Sequence, residues 1–364
     1  MSSVHPRFDT RIYHKELMSL KKAGYQVVLI VADGNGNETT ADGIEILDAG
    51  KPSGRVSRIQ KSRKTVYKMA LQQHADVYHF HDPEMLPYGA KLFRKNNPVV
   101  YDAHEDLPRQ ILSKYWINKP LRKFLSFLSE KFENYHCKRV SHIITATDFI
   151  RDRFKKLNPG VSTVENYPVL SDSLIESKTD TSKASEISYV GAIAQVRGIS
   201  ELVKALAHCR NDIRLNLAGN FSPPEYQDEL RETEGWRKVN VIGFADRQKV
   251  RELLQRSFAG MVTLHPIINY RDALPVKMFE YMAAGIPVIS SDIPLWKEIV
   301  DDAKCGLCVD PLDPVKIAEA IDYLYEHPAE SRQMGLSGQK AAMEKYSWEQ
   351  AEKTLLNVYV DLIN

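Results

Sequence analysis

The sequence predicts an α/β protein built from two doubly wound parallel-sheet domains joined by a polar linker. Three observations predict it. Short apolar strands alternate with helical patterns along the chain, the rhythm of βαβ units. A polar segment at 171–185 interrupts that rhythm, which then restarts. At 364 residues the chain is long for one core and comfortable for two domains.

In the first half, runs at 25–32, 76–80, 98–102 and 141–145 read as strands buried on both faces. Helical patterns lie between them near 11–23, 61–74, 84–95, 118–139 and 148–157. In the second half, strands are expected at 187–193, 213–218, 239–243, 259–264, 286–290 and 307–309. Helices near 199–209, 246–256, 275–284 and 313–326 separate them. The last helix, 348–362, carries apolar residues at Leu355, Leu356, Val358, Tyr359 and Leu362. The expected boundaries are 1–168 for the first domain, 169–185 for the linker, 186–345 for the second domain and 346–364 for the terminal helix. Ligands of such sheets sit beyond the carboxyl ends of the strands, so a cleft faced by the two domains is the expected site.

Composition narrows the class. The chain is 43% hydrophobic and 26% charged, ordinary for a globular protein. No apolar run approaches the ~20 residues that span a bilayer, and no signal peptide opens the sequence. A cytoplasmic protein, peripheral at the inner face of the plasma membrane, is expected. Net charge is only +2, but residues 1–165 hold 27 Lys and Arg against 18 Asp and Glu. Seven bases and no acid fall between Lys51 and Lys68 (Lys51, Arg55, Arg58, Lys61, Arg63, Lys64 and Lys68). Such asymmetry points to an anionic partner for the first domain. Cys305-Gly-Leu-Cys308 reads as a strand ending in a turn, not as a redox motif, which wants a helix starting at its first Cys.

The most informative stretch is Asp272-Ala-Leu-Pro-Val-Lys-Met-Phe-Glu280-Tyr-Met-Ala-Ala-Gly285-Ile-Pro-Val-Ile. Pro275 suits a first helical turn, because it lacks the N–H that is unpaired there anyway. Gly285 supplies the left-handed stop before a buried strand. A helix N-terminus is a ready anion site. Carboxylates eight residues apart can reach past that anion to hydroxyl-rich groups on either side. Phosphate in the middle and hydroxyls at both ends describe a nucleotide sugar.

That region resembles the E-x7-E segment of retaining glycosyltransferases of family 4, which have the GT-B architecture. Asp272 stands where the family has its first Glu, one methylene longer, and Glu280 matches the second. The resemblance implies that Asp272 contacts donor-sugar hydroxyls and Glu280 the ribose, with Ala273, Leu274 and Lys277 around the donor. Gly191-Ala-Ile-Ala-Gln-Val-Arg197-Gly198 is similar to the family's Gly-Arg…Lys-Gly loop on the diphosphate. Arg197 takes the Lys place and Ala192 replaces the Arg, so one cation of the pattern is missing, and Lys277 is the candidate to compensate. Gly219-Asn-Phe and Gly243-Phe-Ala-Asp246 end predicted strands, and in the family the backbone near Gly243 meets the base. His104, in Tyr101-Asp-Ala-His104-Glu-Asp, directly follows a strand. The resemblance gives it the role of supporting the oxocarbenium-like transition state. Asn166-Tyr-Pro168 resembles the family's hinge segment.

The acceptor is expected on the basic first domain, near Arg7, Asp9, Arg11 and His81. In the family the C-terminal helix crosses back onto that domain. The family also opens with an apolar strand ahead of a segment like Ser3-Val-His-Pro-Arg-Phe-Asp-Thr-Arg11. Here either the true start lies upstream of Met1 or residues 1–4 form a stub with open sheet edges beside it. His79-Phe-His81-Asp82-Pro-Glu84 puts two histidines on one strand face. Zinc is a reading of it, but enzymes of this fold work without a bound metal, so no metal and no cofactor are expected. Asp82 reads as a helix cap before Pro83. The basic, aromatic helix at 120–139 either packs Phe124, Leu125 and Leu128 on the sheet or lies on an anionic membrane surface, packing being the favoured expectation.

The implied activity is transfer of a hexose or N-acetylhexosamine from a nucleotide-diphosphate sugar, UDP favoured, to a saccharide or polyprenyl-diphosphate-linked acceptor in capsule or O-antigen assembly. No nucleic acid partner is implied. Two rivals stand beside it: a nucleotide-sugar epimerase or phosphorylase of the same architecture, and a catalytically weak nucleotide-sugar-binding partner in an assembly complex.

Overall fold

The computed structural model describes residues 1–54, 57–114, 116–173 and 185–364. Arg55 of the basic run and residues 174–184 of the linker segment lie outside the described residues. The chain divides into two compact units, Met1–Asn166 with Trp348–Asn364, and Tyr167–Ser347.

The first unit holds two sheets. Strands β1 (Val28–Val31) and β3 (Glu45–Asp48) pair in parallel, and β2 (Glu38–Thr39) adds antiparallel to β3. Strands β4 (Tyr78–Phe80), β5 (Val99–Ala103), β6 (His142–Thr145) and β7 (Val161–Thr163) form a second, all-parallel sheet in that order. All five residues of β5 are buried, as a central parallel strand requires. Strands β2, β3 and β7 carry no apolar run, which is why the sequence does not announce them. The expected strand at 25–32 shrinks to four residues because its N-terminal part precedes the pairing with β3.

Residues 1–3 lie between the two sheets. The Ser2 N–H donates to Ile30 O at 2.9 Å, and the Met1 ammonium donates to His79 O at 2.7 Å. A cavity of about 320 Å3 lies alongside, lined by Met1, Val28, Ile30, Tyr78, His79 and Tyr359 among others. Asp82 precedes the short 3-10 turn at Pro83–Met85 but its side chain does not cap it. The carboxylate instead accepts from the Ser3 N–H and hydroxyl and pairs with His5 Nδ1 at 3.0 Å, so the capping expectation is corrected. The C-terminal helix, Trp348–Ile363, packs within this unit. Its Trp348 Nε1 donates to Ser19 Oγ at 2.8 Å, and Tyr359 Oη meets His79 Nδ1 at 2.9 Å.

The second unit carries one six-stranded parallel sheet in the order β10-β9-β8-β11-β12-β13. The strands are β8 (Glu186–Val190), β9 (Arg214–Ala218), β10 (Val239–Gly243), β11 (Ser257–Val262), β12 (Val288–Ser291) and β13 (Gly306–Val309). The order reverses between β8 and β11, and that switch point is where doubly wound sheets bind ligands. Side chains of β8, β9 and β11 and of helices Ile199–His208 and Pro314–Glu326 fill the core beneath it. Helices Pro294–Ala303 and Pro328–Glu344 are additions to the sequence reading. Both begin with Pro in the first turn, and the first ends at Lys304 in the left-handed region. Cys305 and Cys308 are free thiols, and burial pushes both up to about 12, far from a reactive thiolate.

Candidate functional site

The switch point of the second unit gathers most of the expected donor residues. Gly191, Gly219 and Gly243 directly follow or end the adjacent strands β8, β9 and β10. The Gly219 N–H donates to Gly243 O at 2.7 Å, which draws the strand ends together. Gly219 (φ +143°) allows an approach no other residue permits: a Cβ there would lie 1.9 Å from Gly191 O. Gly198 (φ +72°) ends the loop after β8, where a Cβ would lie 1.7 Å from Thr263 O. It starts helix Ile199–His208, whose apolar face is fully buried. The loop is thereby pressed against the end of β11.

Two tyrosines that the sequence reading passed over hold this loop. Tyr189 Oη donates to Ala192 O at 2.7 Å, and Tyr281 Oη accepts the Val190 N–H at 2.9 Å. Tyr281 is fully buried on helix Val276–Ala283, so it ties the helix bearing Lys277 and Glu280 to the end of β8. Pro275 is the residue before that helix, with φ −74° and ψ 112°, and not its first helical residue. The Asp272–Pro275 approach is fixed by Trp296, whose Nε1 donates to Ala273 O at 2.7 Å.

Lys277 occupies the space that Gly191 leaves open. Its Nζ lies 3.6 Å from the Tyr189 ring centroid, and a Cβ on Gly191 would come within 3.0 Å of it. Burial and then the neighbouring Arg197 push the amine well below the usual lysine range, while Glu280 pulls it back. Two cationic side chains therefore lie close together at this point. Arg197 lies over the Tyr270 ring at 5.0 Å. Gly191, Arg197, Lys277 and Glu280 are therefore neighbours. Asp272 and Leu274 precede the same helix, partly buried, and Gly243 sits two strands away, beside the exposed Phe244.

In the first unit His81 follows β4 and His104 follows β5, adjacent parallel strands. His81 Nδ1 and His104 Nε2 are 3.1 Å apart, and His104 Nε2 lies 3.3 Å from Asp102 Oδ2. The His79 and His81 rings stack at 4.6 Å, the shared strand face expected of them. Beneath them lies a buried charge cluster. Arg11 reaches Asp102 at 3.0 Å and Glu16 at 2.8 Å, and donates to Val164 O at 2.9 Å. Both Glu16 oxygens lack an aligned hydrogen-bond donor, so charge and not hydrogen-bond geometry joins Glu16 to Arg11. Burial and then the Asp102 charge raise Glu16 well above the usual carboxyl range. Burial would also raise Asp102, but Arg11 and His104 outweigh it and hold it well below. Ligand atoms of Glu16, His81, Asp102 and His104 lie within 4.8 Å of one another, close enough to share a cation, yet the Arg11 guanidinium already occupies both carboxylates.

Two acceptor-side expectations need correction. Arg7 is buried in a bidentate pair with Asp33 at 2.7 Å and a bond to Glu38 at 2.7 Å. Arg11 is buried in the cluster just described. Neither guanidinium is presented to a ligand, because each balances two carboxylates of the same unit. Asp9 is half-exposed and accepts from the Arg11 and Ile12 N–H groups, so it starts the first helix. Asp102 and Glu16 escaped the sequence reading. The signal for Asp102 was available: it lies in β5 two residues before His104, a spacing that puts two side chains of an extended segment on one side.

Comparison with known proteins agrees with this architecture. The family model for glycosyl transferases group 1 matches residues 172–341, and that for glycosyltransferase family 4 matches residues 15–166. Alpha-maltose-1-phosphate synthase of Mycobacterium tuberculosis is 27% identical over 214 residues, covering 55% of this chain and 54% of that protein. The chain thus spans about half the length of that relative. Among solved structures, sucrose-phosphate synthase from Thermosynechococcus elongatus superposes with TM-score 0.80 at 16% identity, covering 99% of this chain and 94% of its own. Anabaena HepE in complex with UDP gives TM-score 0.72 at 16% identity, covering 99% and 98%. The two parallel-sheet units are those of the GT-B fold. With the two models matching one after the other over most of its length, the chain belongs to glycosyltransferase family 4.

Proposed function

We propose that this chain is a retaining glycosyltransferase that moves a hexose or N-acetylhexosamine from a nucleotide-diphosphate sugar to a saccharide or lipid-linked saccharide acceptor in surface polysaccharide assembly. The observation that carries this is Lys277 packed into the space left by Gly191, with Arg197 and Glu280 beside it, at the switch point of the second unit. Arg197, Lys277 and the N-terminus of helix Val276–Ala283 receive the diphosphate. Glu280 takes the ribose hydroxyls, Asp272 the sugar hydroxyls, and backbone near Gly243 the base. UDP is favoured, and a structural neighbour was crystallised with it.

In the reaction the acceptor oxygen bonds to the anomeric carbon on the face that the diphosphate leaves. The anomeric C–O bond to the diphosphate breaks, and a diphosphate oxygen takes the acceptor proton. Cations of the site hold the developing charge, so the reading requires no metal. His104 supports the positive charge that builds on the sugar ring, and the acceptor binds the first unit.

A thermal-shift series with UDP, GDP and ADP and their sugar conjugates, without added metal, tests the reading. One nucleotide family is expected to raise the melting temperature, since a ligand at 100 times its Kd adds about 2.7 kcal/mol. No shift from a well-folded sample would overturn it. Glu280→Ala is expected to weaken that nucleotide by about tenfold or more, the loss of charge-assisted hydrogen bonds; unchanged affinity would remove the ribose assignment. His104→Ala is expected to lower transfer at least about tenfold with nucleotide affinity kept. Normal turnover in that variant would take His104 out of the mechanism.

A further inference from the structure

Helix Lys119–Cys137 is turned inside out. Its buried residues are Ser126, Glu133 and Cys137. They are fastened to the body of the first unit: Ser126 Oγ donates to Pro108 O at 3.0 Å, Tyr101 Oη donates to Glu133 Oε1 at 3.2 Å, and Arg153 pairs with Glu133. Those bonds fix which face points inward. At about 100° per residue, Leu121, Phe124, Leu125, Leu128, Phe132 and Tyr135 fall in one stripe on the opposite side. All six are exposed, Phe124 by 56%, and Phe127 beside the stripe by 54%. The expectation that Phe124, Leu125 and Leu128 pack on the sheet is therefore wrong. The inward positions are taken by a hydrogen-bonded polar stripe, and the apolar residues have nowhere to go but out.

An apolar face of this length, about 21 Å from Leu121 to Tyr135 at 1.5 Å per residue, calls for a cover. Its rim says which. Lys131 and Lys138 are exposed beside it, Lys119 and Lys123 are exposed on the same helix, and Glu130 is the only exposed acid there. The Lys131 ammonium lies over the Phe127 ring at 5.3 Å and the Arg139 guanidinium over the Tyr135 ring at 4.0 Å, so cations sit directly on the aromatic surface. Trp116, 68% exposed, stands just ahead of the helix. Apolar residues flanked by cations match the boundary between acyl chains and anionic headgroups. A second copy laid on the same stripe would set these lysines against one another. No described helix is long and apolar enough to cross a membrane, so the contact is one of lying on the surface.

We propose that helix Lys119–Cys137 docks the first unit onto an anionic lipid bilayer, with Phe124, Leu128 and Phe132 entering the interface and the flanking lysines meeting the headgroups. The inference rests on this helix alone and stands whether or not the transfer reaction is as described. Co-sedimentation of the full chain with vesicles tests it. Binding is expected to phosphatidylcholine vesicles containing phosphatidylglycerol, to fall about tenfold or more without the anionic lipid, and to weaken with salt. Phe124→Glu with Leu128→Glu is expected to reduce binding at least about tenfold while leaving the circular dichroism and any nucleotide-induced thermal shift unchanged, because both side chains are exposed. Protein remaining in the supernatant with anionic vesicles, or equal binding by the double variant, would overturn the proposal. So would a dimer in sedimentation equilibrium that the same double variant dissociates, which would assign the stripe to a second copy.

Discussion

Replacing Arg11 with alanine is expected to cost about 3–5 kcal/mol of stability, the range for removing one partner of a buried ion pair. Its guanidinium is the one positive charge in contact with both Asp102 and Glu16 among the described residues, and it also bonds the backbone at Val164. It therefore joins the first helix, the end of β5 and the segment after β7. Without it two buried carboxylates face each other with no cation between them. Glu16 can escape by staying protonated, since its carboxyl is already raised by burial and by Asp102. Asp102 cannot do so cheaply, because its depressed value depends on Arg11 and His104 outweighing burial. Urea unfolding followed by tryptophan fluorescence measures the effect. A loss below about 1 kcal/mol would mean that the two carboxylates are already neutral or hydrated in the folded state.

The parts of this molecule that the sequence disclosed are those written in periodic apolar residues. Strand β5 and strands β8, β9, β11 and β12 of the second unit are runs whose burial follows from composition alone. Short strands such as β2 and β3 are specified by pairing with a neighbour, and no local pattern marks them. At the candidate site, Gly191, Arg197, Lys277 and Glu280 were legible because helix starts, helix stops and small-residue loops leave sequence marks. What fixes their positions was not: Tyr189 and Tyr281 look like ordinary core residues until their hydroxyls are seen on Ala192 O and the Val190 N–H. Arg7 and Arg11 misled for a related reason. A cation in a sequence looks available, and only the fold shows that Asp33, Glu38, Asp102 and Glu16 have already claimed them. The 119–137 helix misled in the opposite sense. Its basic and aromatic residues were visible, but which side faces inward is decided by Glu133 and Ser126 finding partners on other elements.

Acidification from pH 6.5 to 4.5 is expected to destabilise the chain by about 2 kcal/mol or more. Burial is the main cause. It lowers His79 to about 3 and His81 well below its usual value, and Asp102 resists this in both cases without reversing it. Burial also lowers His142, which faces Asp361, and His136 near Arg139. A histidine kept neutral in the fold but free to protonate when unfolded gives stability that is complete above about pH 6.5. That stability is lost as pH falls toward the folded value, at up to about 1.4 kcal/mol per pH unit for each group. The Met1 amine, lowered to about 6 by burial, begins the loss nearer pH 8. Four groups oppose it, His5, Glu16 and the two carboxyls Glu133 and Glu165 that burial raises. His5, raised by its bond to Asp82 against the cost of burial, gains stability on protonation. Glu16, raised by burial, carries a penalty at neutral pH that is relieved as it protonates. The four histidines kept neutral and the Met1 amine outnumber these four, and His79 and His81 are shifted far, so the net slope has the sign of acid loss. Thermal midpoints at pH 7, 6 and 5 measure it, and a flat or rising midpoint would refute the assignment. His79→Asn separates the contributions: it keeps a hydrogen-bonding group near Tyr359 but removes one titration, and its midpoint should depend on pH less steeply than that of the parent chain.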